Sequence, residues 1–155
     1  GSRQARGEWI GVMDADLSHP PELLPQLVRA VENGCDIAIA SRYVRGGGVA
    51  RWSWARRWLS RLGNLALRPL VPVADATSGY FVCRADFVKP LPLDAGGFKV
   101  LLDILVKGRP QRIREIPYLF TDRVRGRSKL KGRTLYLFAL QVAGLYARRL
   151  RRRGP

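Results

Sequence analysis

Short hydrophobic runs and longer amphipathic stretches alternate along the chain. The short runs predict β-strands at Trp9–Met13, Asp36–Ala40, Gly79–Cys83 and Arg112–Phe120, the first two of them buried. Hydrophobic residues three or four positions apart predict helices from about Ser18 to Asn33, and at Ser53–Arg68, Gly97–Lys107 and Thr134–Arg149. The glycines at Arg45–Gly48 indicate a flexible loop. Because strands alternate with helices, the pattern predicts a layered α/β fold.

The predicted helix at Ser53–Arg68 has two distinct faces. Trp54, Trp58, Leu62 and Leu65 share an apolar face, and Arg57, Arg61, Asn64 and Arg68 follow the same spacing on a basic one. We interpret Arg57, Arg61 and Arg68 as a solvated helix face, which is the usual role of a run of charges.

Composition and charge narrow the class of protein. The chain has 155 residues, 46% of them hydrophobic, which is enough for one packed domain. Its formal net charge of +16 predicts a polyanionic partner: a nucleic acid, an anionic membrane surface or a phosphorylated substrate. Two cysteines without a C-x-x-C pair and a single histidine argue against zinc sites and Ser-His-Asp catalysis. No apolar run reaches the roughly 18 residues of a membrane span.

The first chemical signal is the pair Asp14 and Asp16, directly after the first predicted strand. The carboxyl edge of an α/β sheet is where such folds bind ligands. Two carboxylates there suit Mg²⁺ or Mn²⁺, which takes its remaining ligands from substrate phosphates. The alternative is a solvated turn or a helix N-cap. His19 is interpreted as a packed or capping residue, since the chain has no second histidine to bind a metal with it.

Six segments in register resemble one enzyme family. They are M-D-A-D-L-S-H-P-P-E (Met13–Glu22), A-S-R-Y-V-x-G-G-G (Ala40–Gly48), R-x-x-x-S-R-x-x-N (Arg56–Asn64), D-A-T-S-G-Y-F (Asp75–Phe81), G-F-K-V-L-L-D-I-L-V-K-G (Gly97–Gly108) and E-I-P-Y-x-F-x-x-R-x-x-G-x-S-K-L (Glu115–Leu130). Together they resemble the polyprenyl-phosphate (dolichol-phosphate) mannosyltransferases, which are inverting family-2 glycosyltransferases. The resemblance implies a GT-A-like mixed sheet flanked by helices. It also implies transfer of mannose from GDP-mannose to a polyprenyl monophosphate.

The resemblance also implies roles for individual residues. The implied metal ligands for Mg²⁺ or Mn²⁺ are Asp14, Asp16 and Ser18; some members carry Gln at the third position, and Ser is a weaker ligand. The implied catalytic residues are Asp16, Arg42, Asp75 and Arg123. The implied substrate-binding residues are Arg42, Arg56, Ser60, Asp103, Arg123, Ser128 and Lys129. Arg42, Arg56 and Ser60 would hold the acceptor phosphate, with Arg123 and Lys129 closing the site.

Two of these carboxylates keep an alternative role. Asp75 is either a metal or sugar ligand or an Asx-turn residue that holds the following Thr-Ser-Gly. Asp103 either contacts the sugar or is a buried structural carboxylate paired with an arginine.

Family members begin with a further strand and a P-T-Y-N-E-like turn, which nothing before Gly1 matches. We therefore expect residues 1–131 to be the C-terminal portion of a catalytic domain, inactive when isolated. Residues 132–155 are expected to form an interfacial helix and a basic tail on the cytoplasmic side of an anionic membrane, as the arginines after an apolar helix suggest. An ordinary packed helix with a solubilising tail is the alternative.

Two other functions stay open from the sequence. One is the same transfer with a different donor, such as UDP-glucose. The other is a non-catalytic nucleic-acid-binding domain, which would require aromatic residues interleaved with arginines on an exposed face. Trp54 and Trp58 fall on the apolar face of their helix, which argues against nucleic-acid binding.

Overall fold

In the part of the chain that the structure describes, six strands form two sheets. The computed structural model describes residues 5–16, 18–93, 99–121, 139–140 and 142–146. The strands are β1 (Trp9–Val12), β2 (Ile37–Ser41), β3 (Gly48–Val49), β4 (Phe81–Arg84), β5 (Ile113–Pro117) and β6 (Leu119–Phe120). The larger sheet has the order β1-β4-β2-β5, and β3 pairs with β6 in parallel. Since β4 is antiparallel to β1 and β2 while β5 is parallel to β2, the sheet is mixed, as expected.

Local sequence signals mark where two of the helices begin. They are α1 (Leu24–Glu32), α2 (Trp54–Leu67), α3 (Ala85–Val88) and α4 (Val100–Gly108), with a single 3₁₀ turn at Pro21–Leu23 before α1. Pro25 lies in the first turn of α1, where a missing N–H costs nothing. The side chain of Ser53 caps α2 by accepting a hydrogen bond from the backbone N–H of Arg56 at 3.4 Å. The sequence pattern did not predict β3 or α3, which are too short to show a period.

The first strand differs from its prediction in burial. β1 lies at the edge of the sheet, and within the described part of the chain it pairs only with β4. Trp9 and Met13 remain 40% and 44% exposed. Only Ile10 and Val12 pack against the core, because alternate residues of a strand point to opposite faces. The prediction that this strand is buried was therefore wrong.

The predicted strand at 112–120 is two strands separated by Tyr118. Up to Pro117 the chain pairs with β2, and beyond Tyr118 it pairs with β3. The change of partner follows from the tight turn after β2, where Gly47 donates to the carbonyl of Val44 at 2.9 Å. A Cβ on Gly47 would lie 2.5 Å from the carbonyl oxygen of Ser41, so only glycine allows this approach. The loop predicted at Arg45–Gly48 is thus a tight turn that leads into β3.

Hydrophobic clusters cover both faces of the sheet. On β2, Ile37 and Ile39 belong to one cluster and Ala38 and Ala40 to the other, and all four are fully buried. The first cluster includes residues of α4 and the end of α2, and the second includes residues of α1. The result is a sheet flanked by helices. The loops that follow β1 and β2 and the loop that precedes β4 lie close together.

The apolar face of α2 points outward. Trp54 is 74% exposed, and Trp58, Leu62 and Leu65 are each at least half exposed. Arg57, Arg61 and Arg68 are exposed as well, in agreement with their interpretation as a solvated face. The helix instead packs on the core through Leu67, while Asn64 is buried beside the site described below. The exposure of Trp54 and Trp58 removes the sequence argument that was directed against nucleic-acid binding.

The final predicted helix is described only at residues 139–140 and 142–146, which are helical. Leu145 is buried in the core, and the hydroxyl of Tyr146 donates to the carbonyl of Ala66 at 2.5 Å. Leu140 is 51% exposed. Among the residues the structure describes, no helix is long and apolar enough to cross a membrane.

Candidate functional site

The two predicted metal-binding carboxylates lie in the turn that follows β1. Asp14 is exposed and Asp16 is half-buried. One oxygen of Asp16, Oδ1, accepts hydrogen bonds from the backbone N–H of Ser18 at 3.1 Å and from its hydroxyl at 2.5 Å. Ser18 is 3% exposed, so in this arrangement its hydroxyl orients Asp16. The ligand role of Ser18 itself stays a prediction.

These carboxylates fit a cation that arrives with its substrate. Across the described stretches, no group of three or more His, Cys, Asp or Glu side chains could enclose a metal ion. Mg²⁺ and similar hard cations bind through one or two carboxylates and complete their shell with water and substrate phosphates. Asp14 and Asp16 supply such a pair at an accessible strand end, so the residues present fit a divalent cation of this kind.

His19 is packed, as its sequence context indicated. It is 3% exposed, and its ring stacks on Tyr80 with centroids 5.2 Å apart. The backbone N–H of Asp14 donates to Nδ1 of His19 at 3.1 Å. Burial lowers the pKa of His19, although the charges of Asp14 and Asp16 oppose this shift. The ring is therefore a neutral hydrogen-bond acceptor that ties down the carboxylate turn.

Arg42 and Asp75 form a buried ion pair. Nε and Nη2 of Arg42 donate to Oδ2 and Oδ1 of Asp75, each at 2.7 Å, and the backbone N–H of Arg42 donates to Oδ2 at 3.0 Å. Asp75 is fully buried. Burial alone would lower the pKa of Arg42, but the hydrogen bonds and the charge of Asp75 raise it above its ordinary value. Asp75 thus engages Nε and Nη2 of Arg42, and among the described residues Nη1 forms no hydrogen bond.

The turn Asp75–Gly79 joins the acidic and basic parts of the site. Thr77 Oγ1 accepts from Arg42 Nη2 at 3.0 Å and lies 3.3 Å from Asp75 Oδ1, to which it donates. Thr77 thus links Asp75 to Arg42, and both roles considered for Asp75 stay predictions. At the other end of the turn, a Cβ on Gly79 would lie 3.2 Å from Oδ2 of Asp14. The bare face of Gly79 therefore lies against the Asp14 carboxylate.

Arg56 and Ser60 lie on the side of α2 that faces this turn. The guanidinium carbon of Arg56 is 4.0 Å from the centroid of the Trp52 ring, and that of Arg42 is 5.7 Å from the same ring. The hydroxyls of Ser60 and Tyr43 are hydrogen-bonded at 2.6 Å. The structure therefore brings together three residues that the sequence assigned to the acceptor phosphate.

Asn64 connects α2 to the turn. Its Nδ2 donates to the carbonyl of Ser60 at 3.0 Å and to Thr77 Oγ1 at 3.1 Å. Its Oδ1 is buried and has no hydrogen-bond partner within the part of the chain that the structure describes. The position of Ser60 thus depends on the same turn that holds Arg42.

Two residues of the site were missed by sequence reasoning. Nζ of Lys99 donates to the carbonyl of Thr77 at 3.2 Å. Burial lowers the pKa of Lys99, and the charge of Arg42 lowers it further, while Asp75 and Asp14 raise it. Glu115 accepts from the backbone N–H groups of Ala74 and Asp75 at 2.8 and 3.1 Å. Both residues stood in the recognised segments, where Lys99 was taken as part of a helix that in fact begins after it.

Asp103 lies apart from this cluster. It is 4% exposed and pairs with Lys107 one turn along α4, at 2.8 Å. Lys107 also donates to the carbonyl of Pro92 at 2.9 Å. Asp103 is thus a buried carboxylate whose partner among the described residues is a lysine, and its pairing with an arginine stays a prediction. A contact between Asp103 and the sugar stays a prediction. The predicted residues Arg123, Ser128 and Lys129 lie outside the described residues.

Comparisons with known proteins identify a family and named relatives. Residues 1–90 match the sequence profile described as "Glycosyl transferase family 2". A dolichol-phosphate mannosyltransferase of Pyrococcus furiosus is 44% identical over 146 residues, which cover 92% of this chain and 42% of the relative. A polyprenol monophosphomannose synthase of Mycolicibacterium smegmatis is 38% identical over 151 residues, covering 92% and 57%. The chain thus spans about half the length of these curated relatives.

Among solved structures, the chain is similar to glucosyl-3-phosphoglycerate synthase from Mycobacterium tuberculosis in complex with Mn²⁺ and UDP-glucose. The TM-score is 0.60 at 20% identity, and the match covers 93% of this chain and 50% of the other. At this identity the likeness concerns the fold, and it confirms the expected GT-A-like architecture.

Proposed function

Because this chain belongs to glycosyltransferase family 2, we propose that it transfers mannose from GDP-mannose to a polyprenyl (dolichyl) monophosphate, with inversion at the anomeric carbon. The observation that carries the proposal is that archaeal and bacterial relatives, each more than a third identical, are both named for joining mannose to a polyprenyl or dolichyl phosphate. The site supports this proposal because it combines the accessible carboxylates Asp14 and Asp16 with the basic side chains of Arg42 and Arg56.

The chemistry needs little from a general base. A phosphate oxygen of the acceptor attacks the anomeric carbon as the bond from that carbon to the diphosphate breaks, and GDP leaves with the bonding electrons. A phosphate monoester has a second pKa of about 6, so the nucleophile is already anionic at neutral pH. This fits a site in which the single histidine is tied down as a hydrogen-bond acceptor. The protein's work is to bind and orient two anions that would otherwise repel each other.

Asp14 and Asp16 would hold the divalent cation, Mg²⁺ or Mn²⁺. When bound, that cation neutralises the leaving diphosphate. A synthase of similar fold was solved with Mn²⁺ and UDP-glucose bound, which supports a divalent cation in this fold. Ser18 and His19 would keep the carboxylates in position, one through Asp16 and the other through the backbone of Asp14.

Arg42, Arg56 and Ser60 would receive the acceptor phosphate. Arg42 would do so with Nη1, because Asp75 occupies its fork. Arg56 stacks on Trp52 through its flat face, and a guanidinium forms hydrogen bonds in its own plane, so stacking and phosphate binding are compatible. In this role Asp75 is a positioning residue that acts through Arg42. Lys99 would add positive charge between the two anions.

We propose that an anionic membrane surface on the cytoplasmic side meets the outward face of α2. The face presents Trp54, Trp58, Leu62 and Leu65 to the outside, and the residues from 41 to 70 include seven basic side chains and no acidic one. Tryptophan and arginine together are typical of helices that lie in a bilayer interface. Because the opposite side of α2 carries Ser60, a lipid phosphate would be presented to the site at the membrane surface.

The reaction is tested by comparing GDP-mannose and UDP-glucose as donors. Transfer of labelled mannose from GDP-mannose to polyprenyl phosphate should depend on Mg²⁺ or Mn²⁺. It should be lost in Asp16→Ala, whose circular dichroism spectrum should stay that of the folded protein. Preferential use of UDP-glucose would favour the alternative donor. Near wild-type transfer by Asp16→Ala would contradict the metal-site assignment.

The test of the membrane surface uses vesicles with and without anionic lipid. The double variant Trp54→Gln, Trp58→Gln should bind anionic vesicles at least tenfold more weakly, since each loses the burial of a large apolar side chain worth roughly 1.5–3 kcal/mol. Trp9→Gln is the control, because Trp9 is 40% exposed and lies in β1, outside α2. An equal loss of vesicle binding in Trp9→Gln would refute the assignment. It would also be refuted if nucleic acid released the protein from vesicles at a lower concentration than soluble phosphates do.

A further inference from the structure

His19 holds the turn that carries the carboxylates. Its Nδ1 accepts the backbone N–H of Asp14 at 3.1 Å, across five residues of chain. A nitrogen that accepts this bond carries no proton, so in the neutral ring the proton is on Nε2. Through this bond, the buried His19 side chain orients the backbone of Asp14, whose carboxylate is exposed.

Aromatic rings hold the imidazole in place. Tyr80 stacks on it at 5.2 Å with an interplanar angle of 29°, while Tyr118 and Phe120 approach it at 5.8 Å. The hydroxyl of Tyr80 also lies 3.3 Å from the carbonyl oxygen of Pro20, to which it donates, so the same ring ties the chain directly after His19. An imidazole packed in this way keeps Nδ1 aimed at one point.

The Asp14 carboxylate lies against Gly79, where an added side chain would crowd it. A Cβ on Gly79 would lie 3.2 Å from Oδ2 of Asp14 and 3.4 Å from Cε1 of His19. Any larger residue would push one of these groups aside. Asp14 is therefore fixed from two directions, by His19 at its backbone and by Gly79 beneath its side chain.

We propose that His19 is a positioning residue, which orients the Asp14 carboxylate by accepting a hydrogen bond from the backbone N–H of Asp14. Gly79 provides the surface against which that carboxylate lies. The inference rests on the proposed function, in which Asp14 helps to bind a divalent cation. It deepens that function because outer groups that orient a metal ligand typically change metal affinity 10–100-fold when they are lost.

The first experiment measures the hydrogen bond itself. In the uniformly ¹⁵N-labelled protein, a scalar coupling across the hydrogen bond should join the amide nitrogen of Asp14 to Nδ1 of His19. The same spectrum should show Nδ1 as the unprotonated nitrogen of the ring. Absence of the coupling, or a proton on Nδ1, would overturn the proposal without any variant having to fold.

The second experiment separates the acceptor from the ring. Mn²⁺ binding is measured by the electron paramagnetic resonance signal of free Mn²⁺, alongside thermal melting. His19→Phe keeps the stacked ring and loses the acceptor, so its affinity for Mn²⁺ should fall about tenfold or more. His19→Asn places an amide oxygen near the Nδ1 position. Its affinity for Mn²⁺ should stay within about threefold of wild type, well below the 10–100-fold loss expected without an acceptor. Wild-type affinity in a folded His19→Phe protein would refute the role.

The glycine is tested in the same assay. Gly79→Ala should weaken Mn²⁺ binding, whereas Gly11→Ala in β1 should not, because a Cβ there meets only Val82 at 3.9 Å. Equal effects of the two substitutions would count against the proposed surface. A loss of Mn²⁺ affinity in His19→Phe supports the positioning role whether or not mannose is transferred. Failure of the positioning role can therefore be distinguished from failure of the proposed function.

Discussion

The substitution Asp75→Asn tests whether the buried ion pair organises the site. It keeps the shape of the side chain but removes the charge that faces Arg42. Asp75 accepts Nε and Nη2 of Arg42 at 2.7 Å and the backbone N–H at 3.0 Å, and it is fully buried. One of these donors would face the introduced amide group, so a hydrogen bond would be replaced by two opposed N–H groups.

The magnitude follows from the burial of the pair. Removing one partner of a buried ion pair costs about 3–5 kcal/mol, because the other charge is left uncompensated. For a chain of this size each kcal/mol lowers the melting temperature by roughly 2–4 °C, so we expect a decrease of about 6–20 °C. The released Arg42 should also raise the KM for the acceptor, with a smaller effect on the KM for the donor.

A matched control is available in the same chain. Arg84 and Asp86 form another two-pronged pair, with 43% and 64% of their side chains exposed. Asp86→Asn makes the same chemical change where solvent screens the charges, so its melting temperature should stay close to wild type. The assay is thermal unfolding followed by circular dichroism. A decrease in Asp75→Asn no larger than that in Asp86→Asn would refute the reasoning.

Four further predictions follow from individual contacts. Arg56→Lys should raise the acceptor KM about 10–100-fold and leave the donor KM nearly unchanged, because a lysine cannot reproduce the planar fork; a raised donor KM alone would place Arg56 at the diphosphate. Gly47→Ala should destabilise the fold by about 1–3 kcal/mol in urea unfolding, since its Cβ would lie 2.5 Å from a backbone oxygen. Gly144→Ala, in a helix with nothing within 4 Å of the new Cβ, should instead stabilise it by roughly 0.5–1 kcal/mol; the reverse order would contradict the packing described. Burial raises the pKa of Cys83 to about 12, so at pH 8 a thiol reagent should label Cys35 and reach Cys83 only after unfolding.

Local patterns in the sequence determined the α/β class and the position of the carboxylates. A period of two or of about 3.6 residues is a property of neighbouring residues, so strands, helices and the turn carrying Asp14 and Asp16 could be predicted. The placement of Arg42 directly after β2 followed in the same way. The family segments then supplied the chemistry that a single Asp-x-Asp could not.

Only the tertiary structure decided which partners these residues meet. Arg42 and Asp75 are 33 residues apart, and no local period specifies that their side chains form a pair. Periodicity placed Trp54 and Trp58 on one face of a helix, but it does not state whether that face is covered, and here it is exposed. Lys99 enters the site because α4 begins one residue later, which depends on how the chain packs. A sequence pattern specifies which residues share a face, whereas long-range packing decides what that face contacts.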